Sequence, residues 1–238
     1  MDFTRQHVVV TGASTGIGRA TAEKVVALGG KVTVIARSRD KLAAMREALG
    51  EAVNVEPADV GDPAALTAAL DRAAAFAPID ALFCNAGMGG TFAPIEAYSD
   101  ANFEALMAVN MLAHFRSVRQ VFPAMKARKK GAIVVTGSLA SERGMAMNVA
   151  YVMSKHAVLG LARAAALEGA PFGVRVNCLV PGFIDTPLME DIPPEQLTHL
   201  AGNHVDHLFA AGWSAAGRGA VLELGMLSDH PPVSAPLA

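Results

Sequence analysis

The sequence predicts an α/β fold, a doubly wound parallel sheet in a single domain. Three observations carry this. Short runs rich in Val and Ile alternate with longer helix-like runs over most of the chain, and such alternation builds a parallel sheet with helices on both faces. The short runs are near-continuously apolar, as in strands covered on both sides. A glycine-rich stretch, Thr11 to Gly18, joins the first strand to the first helix, beyond the carboxyl end of a strand, where such sheets bind ligands.

The elements follow in order. His7 to Thr11 is the first strand and Ile17 to Leu28 the first helix. Lys31 to Ala36 reads as the second strand and Asp40 to Leu49 as a helix. Ala52 to Glu56 is the third strand. Pro63 to Ala77 follows, with proline in the first turn, where a helix tolerates its missing N–H. Ile79 to Cys84 is the fourth strand, and a long helical stretch runs from about Ser99 to Lys126. Ala132 to Thr136, Val149 to Leu167 and Val174 to Val180 complete the series as strand, helix and strand. No linker, low-complexity tract or repeat appears before residue 185, so residues 1–238 are expected to form one domain. Thr11, Arg37, Asp59, Asn85, Ser138 and Pro181 fall at the carboxyl ends of the strands, which makes them the expected rim of a ligand site.

Composition narrows the function. The 238 residues are half apolar with a formal net charge of −2, which suits a globular protein and gives no basic excess for nucleic acid or an anionic membrane. No apolar run is long enough to span a bilayer, and MDFTRQHVVVTGA lacks the features of a signal peptide. Cys84 and Cys178, both inside strand-like runs, read as buried reduced thiols, and a cytoplasmic location is expected. No metal-ligand cluster appears, and His204 and His207 are expected on a surface loop.

The first turn reads Gly12-Ala13-Ser14-Thr15-Gly16-Ile17-Gly18. Glycines there permit a tight turn and let the backbone approach a pyrophosphate at the helix N-terminus. The spacing, Gly-x-x-x-Gly-x-Gly, departs from the usual Gly-x-Gly-x-x-Gly of dinucleotide sites. The second strand ends at Ala36-Arg37, without the acidic residue that would hold the ribose hydroxyls of NAD. A guanidinium suits a 2′-phosphate. Arg37 therefore favours NADP(H), with Arg39 close behind and NAD(H) left as the alternative.

Gly137 to Lys155 carries the chemistry. Ser138 follows the fifth strand, and Tyr151 and Lys155 stand one helical turn apart on one face. A free phenol, with a pKa of about 10, is a poor base at neutral pH. A nearby cation lowers that value and makes the phenol an acid/base for an alcohol or carbonyl oxygen. A packed ring beside a solvated amine would give the same spacing.

Together these residues resemble the short-chain dehydrogenase/reductase family of Rossmann-fold oxidoreductases, over roughly Gln6 to Met189, and most of all its ketoacyl-reductase-like branch. TGASTGIG stands at 11–18, Asp59-Val60 after the third strand and Asn85-Ala86-Gly87 after the fourth. Asn110 lies in the long helix, followed by Ser138, Tyr151-x-x-x-Lys155, and Pro181-Gly182 with Ile184 and Thr186. The resemblance implies that Tyr151 is the acid/base, Lys155 binds the nicotinamide ribose and lowers the Tyr151 pKa, Ser138 orients the substrate oxygen, and Asn110 holds a water in a proton relay. It also implies that Asp59 and Val60 contact the adenine, that Asn85, Ala86 and Gly87 pass beside the cofactor, and that Ile184 and Thr186 meet the carboxamide. The expected activity is hydride transfer between NADP(H) and a carbonyl/secondary alcohol pair. An NAD-dependent alcohol dehydrogenase and a catalytically silent cofactor-binding regulatory protein are the alternatives. Arg143, Met145, Met147, Met88, Phe92, Phe183 and a loop over residues 190–212 are expected to shape a mainly apolar substrate pocket.

Residues 213–238 depart from the family pattern. The resemblance implies a final helix and a seventh strand, yet the chain reads GWSAAGRGAVLELGMLSDHPPVSAPLA. Codons for Trp213 to Gly219, read one base later, can encode Gly-Arg-Pro-Pro-Glu-Glu-Val, the family's lead-in to that helix. A shifted reading frame is the hypothesis, and sequencing the coding DNA decides it. The expected consequence is a seventh strand missing or improvised, a short helix at most over Ala220 to Leu227, and a weakened form of the homodimers or homotetramers common in the family.

Overall fold

The computed structural model describes residues 2–182, 184, 186–189 and 207–211. Six strands pair in parallel: β1 (His7–Thr11), β2 (Lys31–Ala36), β3 (Val53–Pro57), β4 (Ala81–Cys84), β5 (Gly131–Thr136) and β6 (Val174–Val180). Their order is β3-β2-β1-β4-β5-β6. The order reverses between β1 and β4, and a crevice opens there at the carboxyl ends.

The helices are α1 (Gly16–Ala27), α2 (Arg39–Leu49), α3 (Pro63–Phe76), α4 (Asp100–Met107), α5 (Ala113–Arg128) and α6 (Val149–Gly169). Because strand side chains alternate between faces, Val8 and Val10 pack with Ala22, Val25 and Leu42 under α1 and α2. Val9 packs on the other face with Leu70 of α3, Met125 of α5 and Leu159 of α6. Local chemistry starts the helices where the sequence suggests. Asp62 accepts hydrogen bonds from Ala64 N (2.8 Å) and Ala65 N (3.2 Å), with Pro63 in the first turn, and Ser99 caps α4 by accepting from Asn102 N at 3.3 Å.

Two differences from the sequence reading bear on function. The long helix is not uniform, because a π-turn, Ala108–Leu112, lies between α4 and α5 with Asn110 at its centre. Such turns leave backbone groups out of the regular ladder and often sit at functional sites. The second concerns the sheet edge. A strand, β7 (His207–Ala211), runs antiparallel to β6, with His207 opposite Val180 and Ala211 opposite Val176. The edge is thus occupied by an antiparallel strand, a common ending for a parallel sheet. This corrects the reading of His207 as a surface loop and of 190–212 as wholly substrate loop. His204, Ala220 to Leu227 and the rest of residues 213–238 lie outside the described residues.

One core polar group makes stability depend on pH. His7 is 2 % exposed. Its Nδ1 lies 2.9 Å from Ala77 O and its Nε2 2.8 Å from Thr33 Oγ1. A carbonyl can only accept, so Nδ1 carries the proton and Thr33 donates to Nε2. Burial pushes the His7 pKa below its ordinary value. An unfolded histidine takes its proton near pH 6.5, and folded His7 takes one only at lower pH. In between, the unfolded state binds the extra proton, so stability is intact above about pH 6.5 and declines below it, by up to about 1.4 kcal/mol per pH unit. Urea unfolding at about pH 7.5 and about pH 5.5 should show that decline. His7→Gln should start less stable and decline less steeply, and an unchanged slope would refute the assignment.

Candidate active site

The carboxyl ends of the strands enclose a cavity of about 690 Å³ that extends from the end of β2, past the first turn of α1, to the N-terminal turns of α6. Its floor is set where β1 and β4 separate. Gly12, with φ +66°, turns so closely past the next strand that a Cβ built on it would lie 2.7 Å from Ala86 Cα. Only glycine fits both that conformation and that approach. Asn85 ties the junction together. Its Nδ2 donates to Thr11 O and Gly12 O at 3.3 Å, its N donates to Thr11 Oγ1 at 3.0 Å, and Ala86 N donates to the same hydroxyl at 3.1 Å.

One end of the cavity presents the first turn of α1 through Ser14, Thr15, Gly16 and Ile17, with Gly12 beneath. Helix N-terminal N–H groups favour an anion. Arg37, Ser38 and Lys41 line the rim after β2, and Asp59 and Val60 line it after β3. Asp59 Oδ1 accepts from Gly61 N at 2.8 Å, which fixes its loop. Pro181, Gly182, Ile184 and Thr186 close the opposite wall. A Cβ on Gly16 would lie 3.0 Å from Thr186 Cγ2, so the two walls nearly touch. The charged residues among those described on the wall are Arg37, Lys41, Lys155 and Asp59, which together with the α1 dipole make the cavity locally cationic. A narrow floor that admits no Cβ, an anion-binding helix end and cations at the far rim fit an extended, phosphate-bearing dinucleotide.

The other end holds Ser138, Tyr151 and Lys155, together with Thr136, Asn85, Ala86 and Gly87. Ser138 follows β5, and a short 3₁₀ turn, Leu139–Ser141, fixes it. Ser138 N donates to Ser141 Oγ at 3.1 Å, and Ser138 Oγ accepts from Ala140 N at 3.2 Å. Lys155 is 3 % exposed, and its Nζ donates to Thr136 O at 2.8 Å. The ammonium lies 5.5 Å from the centre of the Tyr151 ring. Gly87 faces the same region: a Cβ on it would lie 3.8 Å from Lys155 Nζ and 3.5 Å from Asn110 Oδ1.

The electrostatics differ from the sequence expectation. Burial pushes the Tyr151 phenol above its ordinary pKa, and its hydrogen bond with Ser138 opposes the rise. Burial also pushes Lys155 down to about 8. The net shift of the phenol in the protein alone is therefore upward, not the lowering expected from the neighbouring lysine. Both groups lose water, and for each desolvation is the largest influence.

Two expected site residues stand behind the cavity wall rather than on it. Gly18 is buried, and a Cβ there would meet Gly12 O at 2.4 Å, so its part is to let α1 pack against the turn. Asn110 is 0 % exposed. Its Oδ1 accepts from Met88 N at 2.9 Å, and its Nδ2 donates to Met88 O at 2.9 Å and to Ser154 Oγ at 3.3 Å. Its amide is thus largely committed to holding the loop after β4. Met88, Phe92 and Met145 line the cavity as expected, but Arg143, Met147 and Arg39 do not. Phe183 lies outside the described residues. Sequence reasoning missed Lys41, in the first turn of α2, and Asn148, which lines the wall three residues before Tyr151 and donates from Nδ2 to Gly89 O at 2.8 Å. The basic residues clustered after β2, Arg37, Arg39 and Lys41, were a usable signal. Asn148 had none, since its partner is a backbone carbonyl.

Comparisons with known proteins agree with this architecture. The family model for short chain dehydrogenase matches residues 6–197. Levodione reductase of Leifsonia aquatica is 34% identical over 198 residues, which are 79% of this chain and 73% of that protein. Its crystal structure superposes with a TM-score of 0.76 over 79% of this chain and 76% of that one. Cyclohexanol dehydrogenase of Acinetobacter sp. (strain SE19) is 34% identical over 83% of this chain and 80% of its own. The 2-dehydro-3-deoxy-L-rhamnonate dehydrogenase (NAD(+)) of Sphingomonas sp. (strain SKA58) is 33% identical over the same two shares. A metagenomic short-chain oxidoreductase solved in complex with NADP is 37% identical, with a TM-score of 0.72, over 76% of this chain and 84% of that one.

Lys155 is the source of a prediction. Its folded pKa of about 8 lies below the 10.5 of a free lysine, so between those values the unfolded state binds more protons. The cost of a buried charge is therefore full below pH 8 and fades as pH rises toward 10.5. Lys155→Met should stabilise the unliganded fold at pH 7 by roughly 1–3 kcal/mol, net of the lost bond to Thr136 O. Thermal unfolding should show the gain, and it should shrink on raising the pH. A less stable variant would mean that the charge is compensated.

Proposed function

The chain belongs to the short-chain dehydrogenase family, enzymes that interconvert alcohols and ketones with NAD(P), and from that membership we propose an NADP(H)-dependent oxidoreductase with Tyr151 as its acid/base. The observation that carries this reading is the convergence of Ser138, Tyr151 and buried Lys155 at one end of a cavity whose other end offers a helix N-terminus, Arg37 and Lys41. When bound, the nicotinamide supplies or takes the hydride. The protein does the rest. In reduction, Ser138 donates a hydrogen bond to the carbonyl oxygen and holds it against Tyr151. The Tyr151 hydroxyl gives that oxygen its proton as the carbon becomes tetrahedral. The Lys155 ammonium stabilises the phenolate that remains, and Asn110 fixes the loop facing both. Oxidation runs the same transfers backwards.

Burial raises the phenol and lowers the ammonium in the protein alone. In this reading, Tyr151 is therefore held protonated until a substrate oxygen arrives to take the proton. Met88, Phe92, Leu139, Met145 and Leu188 give the substrate end apolar walls, and methionines adapt to varied shapes. We assign a compact apolar carbonyl or secondary alcohol as substrate, an alicyclic ring included, in keeping with the relative named for cyclohexanol. An NAD-dependent dehydrogenase is the second reading, favoured by the relative named for NAD(+). The same reading places the enzyme in the cytoplasm, with Cys84 and Cys178 free and buried. It includes self-association through apolar side chains such as Phe115 and Met153, which are exposed on α5 and α6.

Two measurements test this. Fluorescence titration should give NADPH binding at least about tenfold tighter than NADH, the worth of one charge-assisted contact. Arg37→Ala combined with Lys41→Ala should close that gap while leaving NADH unaffected, and equal affinities in the wild type would move the assignment to NAD(H). Tyr151→Phe should bind NADPH within about threefold of wild type yet turn over a cyclohexanone substrate about 10³-fold more slowly. Comparable turnover would remove Tyr151 from its role.

A further inference from the structure

Ala86 lies in the turn between β4 and the substrate side of the cavity, and both of its backbone groups are held by buried side chains. Its N–H donates to Thr11 Oγ1 at 3.1 Å. Its carbonyl lies 2.9 Å from Nε2 of His114, a residue 1 % exposed. The mechanism above does not use His114. A carbonyl has no proton to give, so Nε2 must carry the ring hydrogen. Nδ1 is then a bare acceptor, and it is enclosed with no hydrogen-bond partner. An orphaned, buried lone pair costs stability, and its retention points to a role for the other nitrogen.

The surroundings say what that role is. His114 stands four residues after Asn110, across the junction of the π-turn and α5, so both project from one side of the helix. Asn110 grips Met88 N and O at 2.9 Å. The two side chains therefore hold the peptide groups on either side of Gly87. Gly87 faces Lys155 Nζ, and Ala86 Cα backs onto Gly12 with no room for a Cβ. A rotation of the Ala86–Gly87 peptide would shift the floor beneath Gly12 and the wall opposite Lys155 together. With three glycines in the five residues from Ala86 to Gly90, the backbone alone would not resist that rotation.

We propose that His114 is a positioning residue for cofactor binding: as the Nε2–H tautomer it locks the Ala86–Gly87 peptide and so fixes the floor of the dinucleotide cleft. The inference rests on the oxidoreductase reading above. Burial and the Lys155 charge hold the His114 pKa down to about 3, so the ring stays neutral at any working pH.

The test pairs two variants. His114→Leu removes the donor, and His114→Gln places an amide N–H at the reach of Nε2. His114→Leu should weaken NADPH binding about tenfold, with kcat at saturating cofactor and the carbonyl KM within about threefold of wild type, the worth of one buried hydrogen bond. His114→Gln should restore affinity to within about threefold. A folded His114→Leu that binds as tightly as wild type, or a His114→Gln as weak as His114→Leu, overturns the proposal. If His114→Leu does not fold, the His114→Gln affinity and the ring tautomer decide. Nitrogen-15 spectra of the wild type should show the proton on Nε2 at neutral pH, and a proton on Nδ1 overturns the proposal. A wild type that binds neither NADPH nor NADH overturns the oxidoreductase reading itself. Tight wild-type binding with an indifferent His114→Leu overturns only the role of His114.

Discussion

The working end of this molecule depends on one close approach of two backbones. Gly12 and Ala86 meet where β1 and β4 diverge, at a separation that no Cβ could occupy. Because the strand order reverses there, the contact sets how far the cleft opens. Side chains at the ends of three strands are tied back to it. Thr11 Oγ1 accepts from both Asn85 N and Ala86 N. Asn85 reaches across to Thr11 and Gly12, and Thr136 donates back to Asn85 Oδ1 at 3.4 Å. The ends of β1, β4 and β5 are thereby one hydrogen-bonded unit, and Lys155 joins it through Thr136 O. A site assembled from side chains on three strands and two helices needs such a unit, since positioning errors of an ångström are costly in catalysis.

The helix above the crevice is shaped to the same end. A regular helix through Asn110 would bond its backbone internally and set its side chains at fixed intervals. The π-turn over Ala108–Leu112 breaks that pattern where the Asn110 amide turns inward to Met88 and Ser154. Ser154 in turn donates to Tyr151 O at 2.8 Å. The glycine-rich loop after β4 and the helix carrying Tyr151 are thus linked through the buried Asn110 amide, as they are through Asn148 and Gly89 O. An amide suits this place because it donates and accepts without bringing a charge beside Lys155.

Much of this was legible in the sequence, and the exceptions have physical causes. The six parallel strands fall within a residue or two of their apolar runs, because burial on both faces leaves a continuous signal. Seventeen of the eighteen residues expected at the cofactor, all but Gly18, lie on the cavity wall, because strand ends fix their place once the topology is known. The π-turn was invisible, since a one-residue insertion in a helix leaves the hydrophobic period nearly unchanged. His114 and Asn148 were invisible because their partners are backbone carbonyls, which no side-chain pattern reports. The sense of the Tyr151 shift was missed for a related reason. Spacing shows that a lysine is one turn away, but not that both groups have lost their water. The antiparallel β7 was not foreseen either, although an altered edge was, because this chain's resemblance to the family pattern ends at Met189, before the residues that form it.

The charge distribution draws these threads together. A chain with a net charge of −2 offers no reason to expect an anionic ligand. Yet the described charged residues on the cavity wall are three cations and one carboxylate, beside a helix N-terminus. The compensating acids lie elsewhere, such as Glu23 beside Arg19 and Glu56 beside Arg72. Field lines in a cleft with low-dielectric walls are focused rather than screened, so this local excess outweighs the balanced whole. Lys155 adds to this excess from a buried position, where its ammonium donates to Thr136 O. Its charge is costly in the protein alone, and on the proposed reading an anionic or polarised ligand in the cleft would offset that cost. On the proposed reading, stability is given up at the position where binding and proton transfer need a charge.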